Sequence, residues 1–268
     1  MTGCRAVAGT DTLTITTAAE RPELIPRVYE IDETWPAFIP HDLVAGTLLD
    51  RVVAEFPQYC AVATDGDRVV ARALAVPFDA HADGREETPD QGWDQVLSWA
   101  FHDLRRSAAP TAASALEITV DTRHLGRGLS YRMLNALRSA AERQGHTALL
   151  APVRPTAKHL LPRLPMAEYL TRTRTDGLPE DPWLRVHVKA GGSIVKVAPA
   201  SMTVSGSLEQ WRQWTGLPFD RDGGTEVPGA LVPVHTDLAQ DRAVYVEPNV
   251  WVRHPLRPVA PIAGAEDS

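Results

Sequence analysis

Residues 125 to 130, Leu125-Gly126-Arg127-Gly128-Leu129-Ser130, put a pair of glycines at the mouth of a helical segment. A helix leaves its first backbone N–H groups unpaired and carries partial positive charge at that end, so such a loop can cradle phosphate oxygens. Glycine lets the backbone come close to the anion. The same description fits a mononucleotide loop, a dinucleotide fingerprint and a coenzyme A pyrophosphate site. A nucleoside triphosphate loop needs Gly-Lys followed by Ser or Thr, and no such lysine stands at 127 to 130. A dinucleotide loop needs a third glycine, where Ser130, Tyr131 and Arg132 stand instead.

The flanking elements decide how that loop is held. Leu116-Glu117-Ile118-Thr119-Val120 alternates as a strand, with the mid-strand carboxylate of Glu117 on the face of Ala115 and Thr119. A helix after the loop carries Leu129, Met133, Leu134, Leu137 and Ala141 on one face, and Gly145 stops it. Thr147 to Val153 is an apolar strand, completing a β-α-β unit. Upstream, Leu13 to Thr16 reads as a strand, and helices are expected over 21–33 and 41–56, separated by Pro36 and Pro40. Runs 59–63 and 68–76 flank Asp65-Gly66-Asp67 as a hairpin, a polar loop covers 79–94, and a helix covers 93–106. Downstream, the proline-broken stretch 155–182 resists assignment. A short helix at 183–190 is ended by Gly191-Gly192, followed by strands at 193–197 and 202–204, a Trp-bearing helix at 208–214, and a closing hairpin from 230–234 and 243–252.

The stretch from Val120 to Leu134 resembles the cofactor motif of the GNAT superfamily of acyl-CoA-dependent N-acyltransferases, in which a strand ending in Val leads through a polar turn and Gly-x-Gly into an amphipathic helix. Arg123 to Gly128 matches the family's Arg/Gln-x-x-Gly-x-Gly pattern literally. A second register, with Leu125 first and Gly126, Gly128 and Ser130 at the small positions, keeps the spacing from Val120 and is preferred. In it Leu125 replaces the usual Arg or Gln, and Ser130 the usual Gly or Ala. A later segment, Asp181 to Val195, is similar to the family's helix ending in Tyr-x-Lys-x-Gly-Phe before a strand.

The resemblance covers residues 13 to 205. It implies an α/β fold with a mixed, mainly antiparallel sheet, splayed beside 116–120 and flanked by helices. The expected organisation is a GNAT-like domain over 11–205 with an insertion at 155–180, a C-terminal extension over 206–254 packed on the same domain, and a flexible tail over 255–268. It further implies acyl-CoA as cosubstrate, acetyl-CoA by default, bound by Ile118, Val120, Leu125, Gly126, Arg127, Gly128, Leu129 and Ser130. The family's thiolate-facing Tyr is matched by His187, whose imidazole, ordinarily titrating near 6.5, would protonate the leaving sulfur. Some members use a strand carboxylate near a bulge as general base, which makes Glu117 the candidate here. The acceptor implied is a small-molecule amine. A non-catalytic acyl-CoA-binding module and another thioester reaction, such as decarboxylation, stay open.

Composition narrows the partners. A formal net charge of -7 argues against a non-specific grip on nucleic acid. The two cysteines, Cys4 and Cys60, are far apart, and His235, Asp237, Glu247 and His254 lack ligand spacing, so no metal is expected. No signal-like or membrane-spanning apolar stretch occurs, so the expected location is the cytoplasm, with no membrane partner and a homodimer left open. The basic set Arg154, Lys158, Arg163, Arg172 and Arg174 reads either as a contact for CoA phosphates or as a solvated face.

Overall fold

The computed structural model describes residues 13–31 and 35–257. Cys4, the residues before Leu13 and the tail after Arg257 lie outside the described residues. β1 (Leu13–Thr17) precedes α1 (Leu43–Leu48) and α2 (Val52–Glu55), and then the hairpin β2 (Ala61–Asp65) and β3 (Arg68–Phe78) turns at Gly66 with φ +57. The helices expected over 21–33 and 41–56 are shorter pieces: a 3-10 turn at Pro22–Arg27, then α1 and α2 separated by a 3-10 turn at Leu49–Arg51. Pro26 inside the first turn removes a donor a longer helix would need.

α3 (Gly92–Arg106), β4 (Ala112–Val120), α4 (Leu129–Arg143) and β5 (Ala148–Val153) form the middle of the chain. They are followed by α5 (Met166–Tyr169), α6 (Pro182–Lys189), β6 (Ser193–Ser207), α7 (Leu208–Thr215), β7 (Gly223–Thr225), β8 (Val234–Asp237) and β9 (Arg242–Pro255). The strands make one mixed sheet in the order β1-β2-β3-β4-β5-β9-β8-β7, with β6 on β9. Among the described residues only β4 and β5 run parallel; the other pairs are antiparallel. β9, legible in the sequence as the second arm of a closing hairpin, is an interior strand. One of its edges takes β5 at Val250–Pro255 and β8 at Arg242–Val244, and β6 runs along the other.

The two strands expected at 193–197 and 202–204 are one strand, β6, whose register against β9 jumps between Ala198 and Met202. Ser201 in that bulge accepts the Trp93 amide at 2.9 Å and donates to Asn249 Oδ1 at 2.7 Å. Gly92 is required opposite it: a Cβ there would lie 2.2 Å from Ser201 Oγ.

β4 and β5 pair only at Ala113 with Leu149 and Ser114 with Leu150. Beyond those residues they part, which is the splay expected beside 116–120. On its other edge β4 carries a bulge: Leu74 faces Glu117 and Ala75 faces Ala115, so Leu116 is the extra residue. The Trp93 indole N–H donates to the Leu116 carbonyl at 2.9 Å. α4 covers the adjoining strands with Leu129, Met133, Leu134 and Leu137, all buried.

Lys158 ties the proline-rich stretch to the segment before β8. It is fully buried, and its Nζ donates to the carbonyls of Leu161 and Leu231 at 2.7 Å each and of Pro162 at 3.4 Å. Burial pushes its pKa down. Lys158→Met leaves those acceptors without their donor and should lower the unfolding free energy by about 2–4 kcal/mol. Denaturant midpoints measure this, and an unchanged midpoint would show that the tie contributes no stability.

Candidate active site

A cleft of about 520 Å³ opens where β4 and β5 part. Glu117 and Ile118 from β4, Arg154 just past β5, Ser130 from α4 and Trp183 and His187 from α6 all line it. The lining also takes in Tyr29, Trp35 and Asp50, with Met202, Glu247 and Asn249 from β6 and β9.

The glycine loop lies at the N-terminus of α4 with its backbone presented outward. Gly126 and Gly128 have φ of +75 and +72, a left-handed conformation that side chains rarely adopt, and nothing lies within 4 Å of a Cβ built at either. Leu125 and Arg127 are exposed. Leu129 is buried in the core under the loop, so its side chain faces away from any ligand there. Val120 pairs with Ala71 of β3 and does not line the cleft. Arg123, the arginine of the literal motif register, is turned onto Asp121: its Nε and Nη2 donate to that fully buried carboxylate at 3.0 and 2.8 Å.

Glu117 is not on a solvated sheet face. Its side chain is 6% exposed and forms an ion pair with Arg72, itself 3% exposed. Arg72 comes from β3, diagonal to Glu117 across the ladder, and its guanidinium lies 4.9 Å over the Tyr29 ring. Arg72 is the one charge inside the apolar run 69–76, a signal of a buried partner that alternation along the strand does not identify.

His187 is buried, and its Nδ1 lies 2.9 Å from His254 Nε2. Neither the His187 Nε2 nor the His254 Nδ1 has a hydrogen-bond partner among the described residues. Desolvation, with the neighbouring imidazole, pushes His187 down to about 3; desolvation, with Arg138, pushes His254 down to about 4. Both rings are therefore neutral at neutral pH. The proton expected from an imidazole titrating near 6.5 is absent, and His187 can offer only a neutral N–H or a lone pair.

The basic set from the sequence does not form one surface. Arg163, Arg172 and Arg174 pair with Glu226, Glu180 and Asp176, and Lys158 is buried. Arg154 alone reaches the cleft. Its Nε lies 3.0 and 2.9 Å from the two oxygens of the fully buried Glu247, and its Nη2 donates to the Gly229 carbonyl at 2.6 Å. Glu247 also accepts from Tyr245 at 2.7 Å and from Asn249 Nδ2 at 3.0 Å. Among the described residues no group of three His, Cys, Asp or Glu could hold a metal ion, and no helix is long and apolar enough to cross a membrane.

Because the folded chain holds both histidines below their ordinary value, the unfolded chain binds more protons as pH drops below about 6.5. Stability from this pair is therefore present above that pH and lost on acidification toward about pH 3. His254→Gln should make the fall in denaturation midpoint across that window shallower than in the parent, and equal slopes would refute the assignment.

No family model matches the chain. The chain is 32% identical over 273 residues to the arginine N-acetyltransferase avaD of Aspergillus versicolor, covering 90% of this chain and 93% of that protein. Among solved structures, the loading GNATL domain of CurA from Lyngbya majuscula superposes with a TM-score of 0.53 at 14% identity, over 91% of this chain and 97% of that one. The GphF GNAT-like decarboxylase in complex with isobutyryl-CoA gives a TM-score of 0.51 at 17% identity, over 91% of this chain and 100% of that one. The parted parallel strands, the glycine loop at the helix mouth and a relative matched along nine-tenths of its length agree: the chain belongs to the GNAT superfamily and is an acyl-CoA-dependent N-acyltransferase, moving an acyl group from acyl-CoA to an amine.

Proposed function

We propose that the protein transfers an acetyl group from acetyl-CoA to a nitrogen of a small cationic acceptor of the arginine class, with Glu117 as general base and His187 as a hydrogen-bond donor. The observation that carries this reading is that Glu117, His187 and Ser130 line one cleft at the parting of β4 and β5. Both the acetyl group and the acceptor class are supported by the name of the Aspergillus relative. Trp183 and Asp50 in the cleft lining offer an aromatic ring and a carboxylate that suit a cation, while the Trp35 ring lies 5.9 Å from the Arg154 guanidinium.

The loop residues fit a coenzyme pyrophosphate: the open space over Gly126 and Gly128 lets anionic oxygens reach the unpaired amides at the start of α4. Bound acyl-CoA supplies the thioester carbonyl that the acceptor nitrogen attacks, with the CoA thiolate as leaving group. Glu117 takes the proton that the nitrogen loses, and the adjacent Arg72 favours the ionised carboxylate this requires. When His254 Nε2 donates to His187 Nδ1, the His187 proton resides on Nε2, the ring nitrogen without a protein partner. A neutral N–H there stabilises negative charge growing on the carbonyl oxygen or sulfur without transferring its proton.

Gly126→Asp and Gly128→Asp should each abolish acetyl-CoA binding by calorimetry while leaving the far-ultraviolet circular dichroism nearly unchanged; retained affinity in both would remove the loop from the site. Glu117→Gln should lower kcat about 100- to 10,000-fold, and His187→Ala about 10- to 1000-fold, with little change in acetyl-CoA KM. Parent turnover in a folded variant would end the role of that residue.

A further inference from the structure

The geometry points to Arg154 as the receptor for a carboxylate on the acceptor, so that the substrate is a free amino acid rather than its amide or its decarboxylated amine. This inference rests on the amine-acylating reading above and narrows its substrate. Residues 245–249 of β9 fall in a gap on the edge shared by β5 and β8, since the pairing with β5 begins at Val250 and that with β8 stops at Val244. Arg154, the first residue past β5, reaches Glu247 in that gap.

The pair is built to aim one side chain. Glu247 is fully buried, and its oxygens are held by Arg154, Tyr245 and Asn249, leaving it nothing to offer a ligand. Arg154 is fixed through Nε and Nη2, while its Nη1 has no partner among the described residues. The side chain keeps 17% of its surface exposed, and it lines the cleft. A guanidinium oriented by a buried carboxylate and left with unused donors is matched in charge and geometry by a carboxylate ligand. Glu117 lines the same cleft, so an acceptor anchored at Arg154 keeps its nitrogen within the cavity that holds the base.

The test uses the full chain with acetyl-CoA, reading CoA release with arginine, its carboxamide and its decarboxylated amine as acceptors. The expected result is a kcat/KM for arginine about 10- to 100-fold above both analogues. Arg154→Gln should bring that ratio near unity without changing acetyl-CoA KM. Each ratio is taken within one variant, so it is independent of the folded fraction. Arg154→Gln/Glu247→Gln removes both charges and should give the same ratio if the single variant folds poorly.

Equal efficiency with all three acceptors, or a preference that survives Arg154→Gln, would overturn the carboxylate site while leaving the acyltransferase reading intact. A malonyl-CoA preference lost in Arg154→Gln would put the carboxylate on the acyl donor and overturn the assignment to the acceptor. No CoA release with any of the amines would overturn the acceptor reading itself, and this inference with it.

Discussion

The parting of β4 from β5 is the constraint on which the site depends. Two parallel strands that pair at only two positions leave a row of backbone donors and acceptors on each facing edge, and unpaired backbone groups are costly once water is excluded. An extended ligand with amide groups of its own complements such an edge in a way a side chain cannot. The bulge at Leu116 belongs to the same arrangement. Side chains alternate along a strand, so one extra residue moves everything beyond it to the opposite face. The bulge thus sets the wall on which Glu117 emerges, and the Trp93 indole on the Leu116 carbonyl keeps the extra residue from relaxing back into the ladder.

Charge inside the cleft is organised as buried pairs. Arg72 with Glu117 and Arg154 with Glu247 each place a guanidinium beside a carboxylate at low exposure. Such pairs give little net stability, because desolvation offsets most of the attraction, and their use lies in fixing direction. In the Glu247 network direction is fixed several times over: Tyr245 OH accepts the Leu231 amide at 2.9 Å, and Asn249 accepts from Ser201, which in turn receives the Trp93 amide. The bulge of β6, the start of α3 and the interior strand β9 are thereby locked to the cleft wall.

The histidine pair depends on a glycine for a different reason from its neighbour. Gly191 has φ +86 and ends α6 as a left-handed cap, while Gly192 supplies space, since a Cβ there would lie 2.6 Å from His254 Cε1 and 2.9 Å from the His187 carbonyl. A larger residue at 192 would separate two rings that lie 2.9 Å apart at His187 Nδ1 and His254 Nε2.

Local physics made much of this chain legible. Alternation and helical spacing located β1 to β5, α3, α4 and α6, because those patterns depend on residues a few positions apart. The positive φ of Gly126 and Gly128 is likewise a local demand that only glycine meets cheaply. Through its resemblance to the GNAT family the sequence also carried the splayed α/β fold, the glycine loop and the candidacy of Glu117 and His187. It did not carry the partners of those residues. Arg72 lies 45 positions from Glu117, His254 lies 67 from His187, and Glu247 lies 93 from Arg154. The first separation is closed by the pairing of β3 with β4, and the other two only when β9 enters the sheet between β5 and β6. Whether a histidine is charged, or an arginine has a donor to spare, is decided by what surrounds it after that closure: desolvation and ion pairing depend on tertiary neighbours, and no spacing along the chain encodes them.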